Sequence, residues 1–240
     1  MYLVTRLLNA PKERVYSIRG GPRVWLRTRT VDLFIADEVF RQQVYLPGPD
    51  WIRPDDIVVD IGAQVGTFSL AAARFACQGR VLAFEPYPEN FALLCRNVSL
   101  NRCQNVEAYP WAVGAQSESR ELFLSPLNVG GHSFYMQSKK SIDVECVGIN
   151  DLVDRLRLPR IDVLKLDCEG AEYEILGALS SEGFQKVRRI SAEYHNLSHA
   201  RNGDSLVRFL LEAGYEVTES EEHSVVYASR TPFARRVLAP

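Results

Sequence analysis

Short apolar runs alternate with helical segments from residue 56 onward, and this order constrains the fold more than any other feature of the chain. The runs are bounded by polar turns, as expected for strands that are buried on both faces. They lie at residues 57–61, 80–84, 106–109, 161–166 and 187–194, and helical segments lie at 66–74, 88–100 and 205–213, with another that ends at 176. Such alternation predicts an α/β fold with a mostly parallel sheet and helices on both faces. The runs at 215–218 and 224–228 are predicted to close the sheet as an antiparallel pair.

The first 50 residues do not follow this pattern. Residues 24–30 alternate like a strand, and Asp32 is predicted to cap a short helix that follows. Prolines then break the chain before Trp51. We therefore divide the chain into a lead-in of strand and helix at 1–50, one α/β domain at 51–230 and a basic tail at 231–240.

The charge balance and the hydropathy pattern exclude several classes of partner. The 28 basic and 30 acidic side chains leave a net charge of -2, whereas a dedicated nucleic-acid binder carries a basic excess or stripe. No apolar run approaches the roughly 20 residues that span a bilayer, and the N-terminus meets Arg6 too early for a signal peptide. Five cysteines without a C-x-x-C spacing fit free thiols in a reducing cytosol. We expect a cytoplasmic protein that binds neither nucleic acid nor membrane, and its oligomeric state is left open.

The loop after the first of these strands carries one acid and two glycines. Asp60 lies near the end of the strand, and Gly62 and Gly66 form a G-x-x-x-G loop that opens a helix. Dinucleotide-binding proteins have G-x-G-x-x-G instead, and a phosphate-binding loop would need a lysine after the second glycine. An acid at this place would repel a pyrophosphate and attract an ammonium group. The loop therefore favours a ligand that carries an amino acid.

A second acid, Glu85, follows the next strand. A carboxylate there accepts two O–H hydrogen bonds and suits a ribose diol. The alternative is purely structural. In that case Gly62 and Gly66 only permit tight packing of helix on sheet, and Glu85 is a solvated charge at the end of a strand.

Acidic residues and a histidine follow the last two parallel strands. Strand alternation places Asp167 at the carboxyl edge of one strand, and Glu193 and His195 on a shared face at the end of the next. A histidine and two carboxylates suit either acid–base catalysis or an octahedral metal site. Glu169 and Glu172 are further candidates, although either could instead complement the dipole of the following helix. For His195 the alternative is a strand-end residue with only structural hydrogen bonds.

Four segments together resemble the FkbM-type methyltransferase family, whose members use S-adenosylmethionine. They are Val59–Gly66, Phe84–Asn90, Trp111–Gly114 and Leu164–Glu172. The upstream segment Leu26–Asp32 also looks like the family's lead-in, and the resemblance extends over about residues 20–220. The glycine loop is common to many methyltransferases, whereas the K-x-D-x-E-G-A-E run that begins at Lys165 is much more specific. Gln64 and Cys168 depart from the family pattern, which often has Asn at the first position and Val or Ile at the second.

The resemblance implies a Rossmann-like methyltransferase fold with a seven-stranded sheet and a set of cofactor contacts. Asp60 and the loop from Gly62 to Gly66 would hold the methionine part, Glu85 the ribose, and the segment 111–113 would lie near the adenine. The complete set of expected cofactor contacts is Asp60, Gly62, Ala63, Gln64, Gly66, Thr67, Glu85, Pro86, Ala112, Val113 and Asp167.

The resemblance also implies transfer of a methyl group, usually to a hydroxyl oxygen of a natural product or of a sugar or glycan. The sulfonium makes the methyl group electrophilic, so the enzyme mainly has to align acceptor, methyl and sulfur. An aliphatic hydroxyl is a poor nucleophile, so a base or a divalent metal should take its proton. His195 is the predicted base, oriented or charge-stabilised by Glu193 or Asp167. Metal assistance by these carboxylates is an alternative that their spacing alone does not establish.

Three other functions match parts of the pattern. An N-methyltransferase on the same fold would depend less on a base, and a non-catalytic scaffold would keep only the cofactor pocket. A nucleotide-binding oxidoreductase is disfavoured because G-x-G-x-x-G is absent. Selection of the acceptor is predicted to reside in residues 1–50, in the glycine-rich loop at 125–141 and after His195. That loop is either a mobile cover or a simple hairpin connection.

Overall fold

The computed structural model describes residues 12–125, 128, 130–136 and 138–232. The strands are β1 (Glu13–Ser17), β2 (Arg23–Arg27), β3 (Ile57–Ile61), β4 (Arg80–Phe84), β5 (Val106–Tyr109), β6 (Ala112–Gly114), β7 (Glu118–Phe123), β8 (Ser141–Gly148), β9 (Ile161–Leu166), β10 (Val187–Glu193), β11 (Glu216–Ser220) and β12 (Val225–Ser229). The helices are α1 (Asp32–Asp37), α2 (Thr67–Phe75), α3 (Pro88–Leu100), α4 (Ile149–Arg155), α5 (Glu172–Ala178), α6 (Ser181–Lys186) and α7 (Gly203–Glu212). A π-helical turn, Glu38–Gln42, continues α1, and a 3₁₀ turn, Glu221–His223, precedes β12.

Seven strands form the central sheet, in the order β11-β12-β10-β9-β3-β4-β5. β12 is antiparallel to both β10 and β11, and the other neighbours are parallel. The seven-stranded, mostly parallel sheet and its closing antiparallel pair are therefore confirmed. The chain builds outward from β3 in one direction and from β9 in the other, so the strand order reverses between them. Ligands bind to such sheets at this point, beyond the carboxyl ends of the strands.

Alternating side chains of the central strands build two apolar cores, one on each face of the sheet. On one face, Leu164 belongs to a core that includes residues of α4, α5 and α7. On the other, Val58 and Val163 pack with Phe68 and Ala72 of α2. Full burial of a valine, leucine or phenylalanine side chain stabilises the fold by about 1.5–3 kcal/mol relative to leaving it exposed. The expected helices on both faces are confirmed, and they hold the strand ends of β3 and β9 side by side.

The lead-in is joined to the domain by hydrogen bonds between distant segments. Asn97 of α3 accepts from the backbone N–H of Trp25 at 2.6 Å and donates to its carbonyl at 3.1 Å, which anchors β2. Ser191 of β10 accepts from the Trp51 indole at 2.8 Å and donates to the Tyr45 carbonyl at 2.9 Å. Residues on both sides of position 50, such as Tyr45 and Trp51, therefore pack in one apolar core. Residues 1–11 of the lead-in and 233–240 of the predicted tail lie outside the described residues.

Asp32 does not cap α1, so that prediction is wrong. The capping position is Val31, and no side chain caps the helix. The carboxylate of Asp32 is fully buried and accepts from the backbone and the guanidinium of Arg27 at 2.9 Å. It also accepts from the side-chain amide of Gln64 at 3.0 Å. Asp32 therefore ties β2 to the loop after β3.

A second sheet of three strands, in the order β6-β8-β7, was not predicted. Four of the six side chains of β7 are polar and three of these are exposed, so this strand lacks the apolar alternation that predicts a half-buried strand. β7 and β8 are antiparallel, so the glycine-rich segment connects two paired strands, and its role as a cover stays a prediction. Within it, the Ser133 hydroxyl donates to the Glu169 carbonyl at 2.6 Å. The connection is thereby held at the carboxyl edge of the central sheet.

Candidate active site

A cavity of about 310 Å³ lies at the carboxyl ends of β3, β4, β9 and β10, a volume typical of small-molecule sites. Its floor is formed by the loops after these strands, and its sides by α1 and by the connection between β7 and β8. The predicted site residues that line it are Gly62, Ala63, Gln64, Thr67, Glu85, Pro86, Ala112, Val113, Asp167 and Glu193. Asp60, Gly66 and His195 are not part of this lining.

Close packing requires both glycines of the G-x-x-x-G loop. Gly62 has φ +76°, and a Cβ there would lie 1.8 Å from the carbonyl oxygen of Asp167. Gly66 has φ +86°, and a Cβ there would lie 2.5 Å from Cδ1 of Leu94. The two glycines therefore permit close packing of the loop against the end of β9 and against α3. Because Gly62 allows the loop to touch the end of β9, the same packing also creates the floor of the cavity.

Asp60 lies beneath this floor and does not face the cavity. It is fully buried, and its carboxylate accepts from Ser69 at 2.5 Å and lies 3.2 Å from the Lys165 ammonium. Lys165 in turn donates to the Gly62 carbonyl at 2.8 Å and lies 3.5 Å from Asp167. The sequence predicts a direct contact between Asp60 and the amino group of the ligand. The carboxylate of Asp60 does not line the cavity, so the structure does not offer this contact. Its charge holds Lys165, and Lys165 holds the glycine loop.

Glu85 is buried at the cavity wall, so its interpretation as a solvated strand-end charge is wrong. Only 5% of the residue is exposed. Its carboxylate accepts from the backbone N–H groups of Gln64 and Tyr87, each at 2.9 Å. Burial raises the pKa of Glu85 to about 7, although these backbone hydrogen bonds oppose the shift. The side chain thus fixes the loops after β3 and β4 relative to each other and borders the space between them.

Aromatic rings form the wall next to Glu85. Tyr109 stacks between Phe84 and Trp111, with ring centroids 5.1 Å and 4.9 Å away. Trp111 lines the cavity together with Ala112 and Val113. Such a flat apolar surface suits a planar heterocycle.

Asp167, Glu193 and His195 come together, as strand alternation predicts. Each offers one ligand atom, and these three atoms lie within 4.8 Å of one another. The hydroxyl of Tyr45 lies between the two carboxylates, 2.9 Å from Asp167 Oδ2 and 2.6 Å from Glu193 Oε2. Burial and the neighbouring charge of Asp167 raise the pKa of Glu193 to about 8. The two acids and Tyr45 therefore form one hydrogen-bonded unit at the floor.

His195 is held by two other acids. Its Nδ1 lies 3.1 Å from Glu172 and its Nε2 lies 3.3 Å from Glu169. Burial disfavours the charged imidazole, but the two carboxylates outweigh it and raise the pKa of His195 to about 10. The ring is then protonated at neutral pH and donates to both acids. In this state His195 is a donor, an arrangement that does not favour the predicted role of base.

The comparisons with known proteins identify the family. A family model described as the methyltransferase FkbM domain matches residues 60–217. The chain belongs to the FkbM methyltransferase family. Methyltransferase 1 of Beauveria bassiana (strain ARSEF 2860) is 29% identical over 201 residues, which cover 74% of this chain and 78% of that protein. The 31-O-demethyl-FK506 methyltransferase FkbM of Streptomyces tacrolimicus is 25% identical over 219 residues, which cover 79% and 84%.

A solved structure also resembles this chain, and the resemblance concerns the fold alone. The fibrillarin pre-rRNA processing protein of Methanococcus jannaschii superposes with a TM-score of 0.50 at 12% identity, over 90% of this chain and 82% of that one. Together with the family match, this fold makes the chain an S-adenosylmethionine-dependent methyltransferase of the FkbM family. In the part of the chain that the structure describes, no helix has the length and apolar character needed to span a membrane.

Sequence reasoning missed two residues that shape this FkbM-family site. Tyr45 lies in the lead-in, and no periodic pattern links it to the strands whose acids it contacts. Arg27 reaches the site through Asp32 and Gln64, a connection between β2 and the glycine loop that only the folded chain makes. The family resemblance includes the segment around Arg27 and Asp32. It is the one signal in the sequence that points to the contacts of Arg27 with Asp32 and of Asp32 with Gln64.

Proposed function

We propose that this methyltransferase transfers the methyl group of S-adenosylmethionine to a hydroxyl oxygen of a small-molecule or glycan acceptor. The observation that carries the proposal is the carboxylate pair of Asp167 and Glu193 on the cavity floor, beside the glycine loop. When bound, the cofactor supplies an electrophilic methyl group on a sulfonium. A hydroxyl group needs a proton acceptor to react with it, and this pair can accept a proton. The relative from Streptomyces tacrolimicus is named for 31-O-demethyl-FK506, which agrees with transfer to oxygen.

The cavity fits S-adenosylmethionine in charge and in shape. The side-chain oxygen of Gln64 is buried without a hydrogen-bond partner among the described residues, and it would accept from the amino group of the methionine part. Glu85 would accept from the ribose hydroxyls, and Trp111 would pack on the adenine. Gly62, Ala63, Thr67, Pro86, Ala112, Val113 and Asp167 would complete the contacts, while Asp60 and Gly66 would support the loop from behind.

In this proposal the pair of Asp167 and Glu193 takes the proton of the acceptor. Tyr45 has a single O–H and cannot donate fully to both acids. Both hydrogen bonds of this unit can form when Glu193 carries a proton. Glu193 then donates to the Tyr45 oxygen, and the Tyr45 hydroxyl donates to Asp167. A carboxyl group with a pKa of about 8 loses this proton near the pH at which enzymes work, where a general base is most effective. His195 then positions Glu169 beside the pair and supplies positive charge.

A divalent metal is the alternative way to activate the hydroxyl. A histidine and two carboxylates with donor atoms within 4.8 Å of one another are a donor set that such a cation accepts. The alternatives differ in their response to a chelator. Under the base mechanism, methyl transfer persists after extensive dialysis against EDTA. Under the metal mechanism it is abolished and returns with added Mg²⁺ or Mn²⁺.

The experiment that tests the function uses radiolabelled S-adenosylmethionine and matched acceptors. We would compare an aryl glycoside with the corresponding aminosugar glycoside and locate the new methyl group by mass spectrometry. An O-methyl ether on the glycoside supports the proposal. Methylation confined to the amine would instead support an N-methyltransferase. Cofactor binding in calorimetry without transfer to any hydroxyl or amine probe would support a non-catalytic scaffold.

A further inference from the structure

His132 lies in the connection between β7 and β8 and forms part of the cavity wall. Two backbone hydrogen bonds between Ser133 and Phe123 of β7, at 2.9 and 3.1 Å, fix the chain next to it. The His132 ring packs edge-on against Tyr87, with ring centroids 4.3 Å apart. The backbone N–H of Tyr87 in turn binds the Glu85 carboxylate at 2.9 Å. His132 is therefore held beside the turn that positions Glu85.

A hydrogen bond to one ring nitrogen fixes the tautomer of His132. The backbone N–H of Ser125 donates to Nδ1 at 3.1 Å, so Nδ1 presents a lone pair and carries no proton. Burial and the charge of the nearby Arg27 lower the pKa of the imidazole, and the charge of Glu89 opposes this shift only in part. The ring is then neutral at physiological pH, and its single proton is on Nε2. His132 therefore offers an N–H donor at Nε2.

This donor has no partner in the part of the chain that the structure describes. The Nε2 atom is buried, and none of the described residues forms a hydrogen bond with it. Buried donors are paired in the great majority of folded proteins, because an unpaired one loses its hydration without compensation. Since the His132 ring belongs to the cavity wall, a bound ligand can supply the acceptor that the described residues do not.

The ribose that is placed against Glu85 has the complementary need. Each ribose hydroxyl group has one proton and two lone pairs. When the proton is donated to Glu85, the lone pairs of the same oxygen lie in a buried place and require a donor. An acceptor at Glu85 and a donor at His132 would together recognise a hydroxyl group. They would discriminate against hydrogen, which offers neither function, and against an ether, which has no proton to donate.

We infer that His132 is a cofactor-binding residue, which donates from Nε2 to one of the two ribose hydroxyl oxygens while Glu85 accepts from that hydroxyl. The inference rests on the cofactor placement in the proposed function and adds a contact to it. The sequence predicts that the connection between β7 and β8 selects the acceptor. The position of His132 instead assigns this part of the connection to the cofactor.

Two substitutions separate the Nε2 donor from the rest of the side chain. His132→Leu removes both ring nitrogens. His132→Gln also removes the acceptor of the Ser125 N–H, but its side-chain amide places an N–H close to the position of Nε2. The ligands are S-adenosylhomocysteine and its 2′-deoxy and 3′-deoxy analogues, each of which lacks one hydroxyl group. Calorimetry gives the Kd of every protein and ligand pair, so the result does not depend on methyl transfer.

We expect S-adenosylhomocysteine to bind His132→Leu about 3–10-fold more weakly than the parent protein, which corresponds to one neutral hydrogen bond. One deoxy analogue should bind the parent more weakly than S-adenosylhomocysteine and should lose nothing further in His132→Leu, because the hydroxyl is already missing. His132→Gln should recover most of the affinity for S-adenosylhomocysteine. The control is His199→Leu, which changes an exposed histidine outside the cavity lining and should leave every Kd unchanged.

Equal weakening of all three ligands in His132→Leu would overturn the inference, because it would reflect a structural role of the ring. Parent-like affinity of His132→Leu for S-adenosylhomocysteine would do the same, as would a lack of recovery in His132→Gln. The parent protein alone provides a further test, since equal affinity for S-adenosylhomocysteine and both deoxy analogues would also contradict the contact.

Failure of the proposed transfer to a hydroxyl has a different signature. The three ligands would still show the expected pattern of affinities in the parent and the variants, because no acceptor is present in the titration. Radiolabel from S-adenosylmethionine would then never reach a hydroxyl group.

Discussion

The hydroxyl of Tyr45 lies 2.6 Å from a carboxylate oxygen of Glu193, 148 residues further along the chain. The same hydroxyl lies 2.9 Å from Asp167, and the Tyr45 ring packs edge-on against Phe68 with centroids 5.6 Å apart. Tyr45 is buried, with 7% exposed. The lead-in therefore contributes directly to the acidic floor, and it fixes the two acids that the proposed mechanism needs.

Removal of this hydroxyl should slow methyl transfer. In Tyr45→Phe the ring packing remains, but both carboxylates lose a partner. A hydrogen bond to a charged group contributes about 1.5–3 kcal/mol, so a fall in kcat of roughly 10–100-fold is expected. The affinity for S-adenosylmethionine should change little, because the proposed cofactor contacts come from other loops. Steady-state kinetics and calorimetry measure the two quantities.

Tyr215→Phe is the control for this substitution. Tyr215 is also buried, and its hydroxyl donates to the Val187 carbonyl at 2.9 Å, remote from the cavity lining. Tyr215→Phe should lower the free energy of unfolding without a selective loss of kcat. Unchanged kcat in Tyr45→Phe would mean that the hydroxyl is structural.

The pH dependence of the rate should identify the base. The proposed base must be deprotonated to act, and the pKa of Glu193 is raised to about 8 by burial and by Asp167. The rate should therefore fall as the pH drops below about 8, roughly tenfold for each further unit. Single-turnover methylation between pH 6 and 10 measures this profile, with the pH range chosen to span about two units on either side of 8.

Variants distinguish the carboxylate pair from His195 in the same experiment. Glu193→Gln should abolish the fall in rate below about pH 8, and His195→Gln should retain it. A base at His195 would instead place the step in the parent enzyme near its pKa of about 10. That result, with loss of the step in His195→Gln, would transfer the role of base to the histidine.

The central sheet could be predicted because its signals are local. Each buried strand is a short apolar run, and each strand end carries the residues that reach the cavity, so Asp167, Glu193 and His195 could be placed together from alternation alone. The surroundings of Asp60 depend on strand pairing, which the sequence alone does not show. Asp60 and Lys165 are opposite each other in the β3–β9 register, so the acid meets a lysine before it can meet a ligand.

The remaining features depend on long-range contacts. Tyr45 meets Asp167 across 122 residues of chain, and Gln64 meets Asp32 across 32. Neither pair shares a periodic pattern. The small sheet was missed because β7 is mostly polar on both sides, and β8 is buried only toward its end. The sequence predicts a base at His195, and it does not show that Glu172 and Glu169 contact both ring nitrogens.

Cofactor affinity should depend on Glu85. Glu85→Ala removes the expected ribose acceptor and leaves two backbone N–H groups without their partner, so binding of S-adenosylmethionine should weaken by roughly 10–100-fold. Glu85→Gln keeps one acceptor oxygen, so its affinity for S-adenosylmethionine should lie between those of the parent protein and Glu85→Ala. Calorimetric titration measures both, with Glu212→Gln as the control on an exposed acid. Parent-like affinity in Glu85→Ala would reduce Glu85 to a structural residue of the two loops.

A pair of glycine substitutions should separate backbone constraint from helix propensity. Gly62→Ala adds a methyl group at φ +76°, where its Cβ would lie 1.8 Å from the Asp167 carbonyl oxygen. The left-handed conformation costs roughly 1–2 kcal/mol and the forced displacement about 1–3 kcal/mol more. Gly177→Ala lies in helix α5, and apart from its chain neighbours and the backbone of the helix itself, no described atom lies within 4 Å of the added Cβ. It should stabilise by about 0.5–1 kcal/mol, because alanine favours a helix.

For a chain of this size, each kcal/mol shifts Tm by about 2–4 °C, so the two variants should move Tm in opposite directions. Gly62→Ala should also weaken cofactor binding, since the displaced backbone is the cavity floor, whereas Gly177→Ala should not. Thermal unfolding and calorimetry on both proteins check this. If Gly62→Ala kept the parent Tm and affinity, the contact between the glycine loop and the end of β9 would not be the constraint that forms the site.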